Sequence, residues 1–154
     1  MSDYGNIFDK LAQCFRKDGW EVRQEDPPQA YMHVSRPGWG DEHMDGIHLE
    51  TYVLGNQLAS GFAPVALHCE QGFPHQQRFM ELFTERVGET IKGWPGYKLL
   101  GPHGCSVCEI SIPLCAGPSG PFETGELLAE ELRRLQTLGP LIDETIADLK
   151  SQQC

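Results

Sequence analysis

Apolar residues recur at helical spacing in three parts of the chain. The first run begins after Asn6, a residue favoured at helix N-caps, and ends at Gly19. The second follows Pro74, which suits a first helical turn, and the third is interrupted by Gly139-Pro140. Each run predicts an amphipathic helix, and the third is expected to bend or break at its Gly-Pro pair. The defining apolar positions are Ile7, Phe8, Leu11 and Phe15; Phe79, Phe83, Val87 and Ile91; and Leu127, Leu128, Leu132 and Leu135.

Six other stretches alternate between apolar and polar residues or are short and rich in strand formers. Because successive side chains on a strand point to opposite faces, this alternation predicts strands with one buried face. The linker of about ten residues before Ala63 carries no helical pattern, so we expect a hairpin to connect the strands on either side. Pro113 predicts that the last strand reaches a sheet edge near its end. The predicted strands cover residues 20–24, 31–35, 46–54, 63–70, 97–100 and 107–114.

The order of these elements predicts one α+β domain that covers residues 1–154. A chain of this length buries enough surface to fold without metals or disulfides. The strands have one apolar and one polar face, which is typical of a mainly antiparallel or mixed sheet. We therefore expect a sheet of four to six strands with helices packed on one face and the other face left open.

The open face of this sheet carries an unusual concentration of histidine, tyrosine and glutamate. Two stretches, Ile47–Glu50 and Leu67–Glu70, follow the same pattern of apolar residue, His, apolar residue and Glu. On a strand each stretch buries its apolar pair and turns its His and Glu out together. We expect this face to be the working surface, joined by Trp39 from the acidic loop 37–46. The predicted binding face comprises Tyr31, His33, Trp39, His48, Glu50, Tyr52, His68, Glu70 and Glu109.

His48, Glu50, His68 and Glu70 are the candidate metal ligands, because imidazole nitrogen and carboxylate oxygen bind first-row metals well. Geometry argues against this interpretation. Residues two apart on a strand lie about 6.5 Å apart, whereas metal–ligand bonds measure about 2 Å. Cross-strand hydrogen bonding between His and Glu explains the same residues without a metal. The sequence therefore favours polar pairing or a contact surface, and no cofactor is expected.

The charge of the chain limits its partners. Twenty-two acidic and twelve basic residues give a formal net charge of -10 at pH 7. This charge repels phosphate backbones and anionic lipids, so neither duplex nucleic acid nor a membrane is an expected partner, whereas a basic protein surface is attracted. No stretch approaches the ~18 consecutive apolar residues of a membrane helix. Residues 1–5 lack the basic start and apolar core of a secretory signal, so we expect a cytoplasmic protein.

The six cysteines are expected to be reduced. Cys14 lies on the apolar side of a helix pattern and Cys69 on the apolar side of a strand pattern, where free cysteine behaves as a small hydrophobe. Cys105 and Cys108 have the spacing of half a zinc site or of a redox pair. No second pair of this kind and no His-x-x-x-His follows, so the cysteines predict neither a zinc finger nor a disulfide frame.

No complete catalytic motif is present. Strand alternation turns the sulfur of Cys69 away from His68, and the chain has no Gly-x-Ser-x-Gly elbow, phosphate loop or dinucleotide-binding turn. The order of helix, strands, helix and strand, with acids on the middle strands, resembles the PD-(D/E)XK nuclease fold. That resemblance implies a metal held by an acidic residue and a Glu-x-Lys on adjacent strands. No lysine stands two positions after Glu50, Glu70 or Glu109, however, so the catalytic motif is missing.

The small acidic build, with a helix at each end around a sheet, also resembles type III secretion chaperones and related binding domains. This resemblance implies protein binding without catalysis. Our leading hypothesis is a cytoplasmic, non-enzymatic domain that binds a protein with a basic surface, as a chaperone, an immunity protein or an inhibitor does; a homodimer is a further expectation. The alternative is a metal-dependent hydrolase of nuclease-like fold that uses Glu50 and Glu70 with His48 and His68.

Overall fold

The computed structural model describes residues 3–24, 30–40 and 46–152. No helix within these ranges is both long and apolar enough to cross a membrane. The elements in chain order are α1 (Asp3–Lys17), β1 (Glu21–Arg23), β2 (Tyr31–Ser35), β3 (Ile47–Tyr52), α2 (Gly55–Ser60), β4 (Phe62–Cys69), α3 (Gln76–Lys92), β5 (Lys98–Leu99), β6 (Ser106–Pro113), α4 (Gly120–Gln136) and α5 (Gly139–Ser151).

The six strands of the described chain form one antiparallel sheet in the order β1-β2-β3-β4-β6-β5. The central strands β3 and β4 pair from Ile47 opposite Cys69 onward. The short strand β5 reaches only Cys108 and Glu109 of β6. Among the described strands, β4 is therefore the only neighbour of the end of β6 that carries Pro113, as the sequence predicted. The structure confirms a single α+β domain.

The long helices pack on the apolar face of the sheet and close the hydrophobic core. Met32, Leu49 and Leu67 point to this face from β2, β3 and β4, and all three are fully buried. From α3, Phe79 and Phe83 are also fully buried, as their helical spacing predicted. Each such side chain contributes roughly 1.5–3 kcal/mol by leaving water, so this interface is the main source of the domain's stability.

Three local predictions are wrong. The helix α1 begins at Asp3, so Asn6 lies inside it instead of capping it. The helix α2 occupies the linker for which no helix was expected. None of its residues is buried, so its sequence lacks the periodic apolar positions that mark an amphipathic helix. At its start, the side chain of Gln57 accepts a hydrogen bond from the backbone N–H of Leu54. The helix ends at Gly61, which has a φ of 82°. Cys14 is exposed and not in the core.

Candidate metal centre

The two histidines of the repeated pattern lie directly opposite each other on β3 and β4. Because these strands run antiparallel, Glu50 and Glu70 flank the histidine pair from opposite sides. Glu50 is paired with Ala66, and Glu70 lies just beyond the last residue of β4. We refer to His48, Glu50, His68 and Glu70 as the His/Glu cluster.

The four side chains of the His/Glu cluster turn toward the same space. Nε2 of His48 lies 3.3 Å from Oε2 of Glu50 and 3.7 Å from Oε1 of Glu70. Nδ1 of His68 lies 3.2 Å from the same Glu50 oxygen and 3.8 Å from the same Glu70 oxygen. The expectation that a flat sheet keeps these groups apart is therefore wrong. Glutamate side chains are long enough to lean along the strand and span the gap between alternate residues.

The carbonyl oxygen of Gly46 orients His48. It accepts a hydrogen bond from Nδ1 of the imidazole at 3.2 Å and another from the backbone N–H of Glu70 at 3.1 Å. A Cβ on Gly46 would lie 1.8 Å from the carbonyl oxygen of Trp39, which accepts the N–H of Ile47 at 2.7 Å. Only glycine fits here. The sequence pattern gave no sign of this residue's role, because that role depends on the close approach of the Trp39 backbone to the start of β3.

The hydrogen bond to Gly46 decides which nitrogen of His48 faces the carboxylates. A carbonyl oxygen only accepts, so Nδ1 carries the proton, and Nε2 of a neutral imidazole then has a free lone pair. That lone pair faces Oε2 of Glu50 at 3.3 Å. Two acceptors at this distance repel each other unless a cation lies between them, either a proton or a metal ion. Metal-binding histidines usually donate their other ring N–H to a carbonyl or carboxylate, as His48 does.

Burial and neighbouring charges set the protonation states of the cluster. Burial alone raises the pKa of the Glu50 carboxyl, but the hydrogen bond with His48 and the nearby imidazoles outweigh this effect, and the pKa lies below its ordinary value. Burial lowers the pKa of His68 below its ordinary value despite the neighbouring carboxylates. Glu50 is thus ionised and His68 neutral at neutral pH, which are the forms that bind metal ions.

A row of rings extends from the cluster across β3 and β2. The ring centroid of His33 lies 3.5 Å from that of His48, and Tyr31 stacks on His33 and on Tyr52 with centroid distances of 6.2 Å. His33 is 6% exposed and His48 1% exposed. The prediction of a solvated face is therefore wrong for His33 and His48, which the neighbouring rings shield from water.

Glu109 lies on the same face of the sheet as the cluster, on β6 opposite Ala66. Burial, followed by the charges of Glu50 and Glu109, raises the pKa of the Tyr52 hydroxyl above its ordinary value. Tyr52 is therefore a neutral hydroxyl at physiological pH, and Glu109 adds negative charge beside the cluster.

Trp39 does not lie on the predicted binding face. It is 1% exposed, its ring packs edge to face on Trp20 at 5.6 Å, and its Nε1–H donates to Oδ1 of Asp143 on α5 at 2.7 Å. The indole fills the core between its loop and α5, so the prediction of Trp39 as a surface contact is wrong. Residues 41–45 of the same loop, three of which are acidic, lie outside the described residues.

His48, Glu50 and His68 each offer a ligand atom within 4.8 Å of the other two. A tetrahedral ion with bonds of about 2.0–2.2 Å needs ligand atoms about 3.3–3.6 Å apart. The nitrogen–oxygen distances in the His/Glu cluster, 3.2 to 3.8 Å, span this range. The nitrogen–oxygen distances are therefore compatible with coordination of one ion, and the two imidazole nitrogens lie within 4.8 Å of each other.

Cys108, the second cysteine of the Cys-x-x-Cys pair, and Cys69 both lie on the core face of the sheet, away from this site. Cys69 and Cys108 are buried in the core, and burial, as the main cause, raises the pKa of each thiol to about 12. A thiol that stays protonated is neither a good nucleophile nor a metal ligand. The cysteines of the described ranges are free thiols, and Cys154 lies outside those ranges.

No protein-family model, curated protein or solved structure significantly matches this chain. The resemblances to PD-(D/E)XK nucleases and type III secretion chaperones therefore stay predictions drawn from element order. The geometry of the His/Glu cluster is the observation from which a function can be argued.

Proposed function

We propose that this protein binds one first-row divalent metal ion, in the first place Zn²⁺, through His48, Glu50 and His68. The observation that carries the proposal is the convergence of both imidazole nitrogens on Oε2 of Glu50, at 3.3 and 3.2 Å. Imidazole and carboxylate are typical donors for zinc, and Glu50 and Glu70 together compensate its double charge.

A metal ion accounts for more of the cluster than polar pairing does. Polar pairing needs a proton on Nε2 of His48, which makes this ring a cation. The rings of His33 and His68 lie 3.5 and 5.3 Å from it, so a charged ring would be held against two further imidazoles. A divalent ion instead satisfies the lone pair of His48 and both carboxylates while the imidazoles stay neutral.

Zinc binding can be measured directly on the purified chain. We expect one Zn²⁺ per chain after dialysis against zinc sulfate and removal of loosely bound metal on a chelating resin. Zinc at 100 times its dissociation constant should raise the free energy of unfolding by about 2.7 kcal/mol. Chelator should reverse the accompanying rise in melting temperature.

Glu50→Gln and His68→Gln should abolish the zinc-dependent shift, because each removes one of three ligands. His103→Gln is the matched control: His103 is an exposed histidine outside the cluster, and its replacement should leave the shift unchanged. A wild-type protein whose melting temperature does not respond to zinc would refute the proposal.

A second candidate function is binding of a protein with a basic surface, favoured by the net charge of -10 and by the half-buried Glu109 beside the cluster. Its on-rate should fall several-fold between about 50 and 300 mM salt, because exposed charges are screened beyond roughly one Debye length. The same charge opposes pairing of two copies, so a homodimer would be strengthened by salt. Free thiols at Cys69 and Cys108 support a reducing location such as the cytoplasm.

A further inference from the structure

The helices α1 and α4 lie side by side and enclose a groove that opens to solvent. They are closest where Gly125 of α4 faces Ile7 of α1, because a Cβ on Gly125 would overlap Cγ2 of Ile7. The groove beside this contact has a volume of about 330 Å³. Both helices also contribute buried side chains to the core, so the groove lies on the side of the sheet opposite the His/Glu cluster.

The lining of the groove changes from aromatic to cationic along its length. Phe122 lies before the point where the helices are closest, and it is 62% exposed. Lys10 and Arg133 lie after that point, one on each helix. The guanidinium of Arg133 lies 5.5 Å from the centroid of the Phe15 ring on α1, so the two helices run in the same direction. Phe122 and Arg133 are eleven residues apart, which corresponds to about 16 Å of helix.

The two cations of the groove are not neutralised by the protein. Within the described part of the chain, neither Lys10 nor Arg133 forms an ion pair. Glu126 is the remaining charged residue that lines the groove, so the lining carries one net positive charge, whereas the whole chain carries -10. A ligand with one negative charge balances this lining, and a cation or a dianion does not.

The size of the groove fits a small amphiphile. A cavity of about 150 Å³ accommodates one benzene, so a groove of about 330 Å³ has room for roughly eight to twelve carbon atoms. A protein helix would need apolar contacts over several turns. The apolar strip here is short, because neighbouring exposed positions on the two helices are polar: Asn6, Gln13, Glu123 and Glu130.

We propose that this groove binds one medium-chain aliphatic monocarboxylate, of roughly eight to ten carbon atoms. The carboxylate lies between Lys10 and Arg133, where it forms two charge-assisted hydrogen bonds. The aliphatic chain extends past Leu11 toward Phe122 and leaves water on both sides. This site is independent of the proposed metal site.

Calorimetric titration of the full chain with octanoate tests the proposal, in chelator so that no metal ion can hold the carboxylate. We expect saturable binding of one octanoate per chain. Octanol has the same chain without the charge and should bind at least roughly tenfold more weakly, because it loses the charged hydrogen bonds. Acetate and octylammonium should show no saturable binding, since the first lacks the chain and the second has the wrong charge.

Lys10→Gln and Arg133→Gln should each weaken octanoate binding roughly tenfold and leave octanol binding unchanged. Lys92→Gln is the matched control, because Lys92 is an exposed lysine on α3, outside the groove. Phe122→Ser should weaken both ligands, whereas Leu58→Ser, at an equally exposed apolar residue on α2, should weaken neither. Thermal unfolding checks that each variant is folded.

Four results would overturn the proposal. Octanol or octylammonium bound as tightly as octanoate would exclude recognition of a carboxylate. Octanoate affinity unchanged in both Lys10→Gln and Arg133→Gln would place the ligand elsewhere. Absence of saturable octanoate binding would leave a protein segment as the occupant. A dimer in sedimentation that Phe122→Ser dissociates would show that a second copy of the chain fills the groove.

Discussion

The stretches Ile47–Glu50 and Leu67–Glu70 have almost the same pattern, yet the structure gives them different surroundings. The His48 side chain is 2% exposed and that of His68 is 24% exposed. The glutamates follow the same order, with Glu50 15% and Glu70 38% exposed. The neighbouring strands explain this difference. Next to β3, β2 places the ring of His33 over His48, whereas next to β4, β6 places only Ser106 opposite His68.

The ends of the strands add to this difference. Glu50 lies within β3, between strands on both sides, whereas Glu70 lies after the last residue of β4. The same local pattern thus produces a more buried carboxylate on one strand and a more exposed carboxylate on the other. A sequence motif therefore fixes which side chains are present, whereas the strands beside it determine how buried each side chain is.

The largest loss of stability is expected when the residue that precedes the first stretch is replaced. Gly46→Ala should lower the free energy of unfolding by about 3 kcal/mol or more, because the new Cβ would lie 1.8 Å from the carbonyl oxygen of Trp39. The corresponding residue before the second stretch, Ala66, already carries a Cβ. Urea denaturation in chelator measures the effect.

Gly55→Ala is the control for Gly46→Ala, because a Cβ on Gly55 meets nothing within 4 Å. Its effect on stability should stay within about 0.5 kcal/mol. If Gly46→Ala lowered the free energy of unfolding as little as Gly55→Ala, the contact with Trp39 would not hold the carbonyl of residue 46 in place. The orientation of His48 would then need another explanation.

The two histidines provide the next test. His48→Ala should cost about 2 to 3 kcal/mol in the metal-free protein, because it leaves a cavity and removes the hydrogen bond to Gly46. His68→Ala should cost less than about 1 kcal/mol, since its side chain is partly exposed. Thermal unfolding in chelator checks both values. Equal costs would mean that the ring of His33 does not shield His48 as the structure shows.

The apolar position of the second stretch, Cys69, provides a further test. Cys69→Ala should cost about 1 kcal/mol, because only one buried sulfur is removed. The pKa of about 12 also predicts that the native Cys69 thiol reacts with iodoacetamide at least 100-fold more slowly than the exposed Cys14. Mass spectrometry after timed labelling measures the ratio. Rapid labelling of Cys69 in the native state would show that the end of β4 opens to solvent.

Much of the fold follows from patterns that are local in the chain. Helical spacing placed Phe79 and Phe83 on the buried face of α3, and strand alternation placed the His/Glu cluster on the face opposite the core. Both predictions depend only on the fixed repeat of a helix or strand. The helix α2 could not be predicted in this way, because it buries no side chain and so has no period.

The sequence alone determined the α+β class, the strands that carry the site and the residue types on its face, because these depend on the alternation of side chains within each segment. Tertiary structure decided the rest. Strand register set His48 opposite His68, the Trp39 loop required glycine at position 46, and stacking with His33 buried His48. None of these contacts follows from the alternation of side chains within one strand, because each depends on how a strand or loop packs against a neighbouring segment.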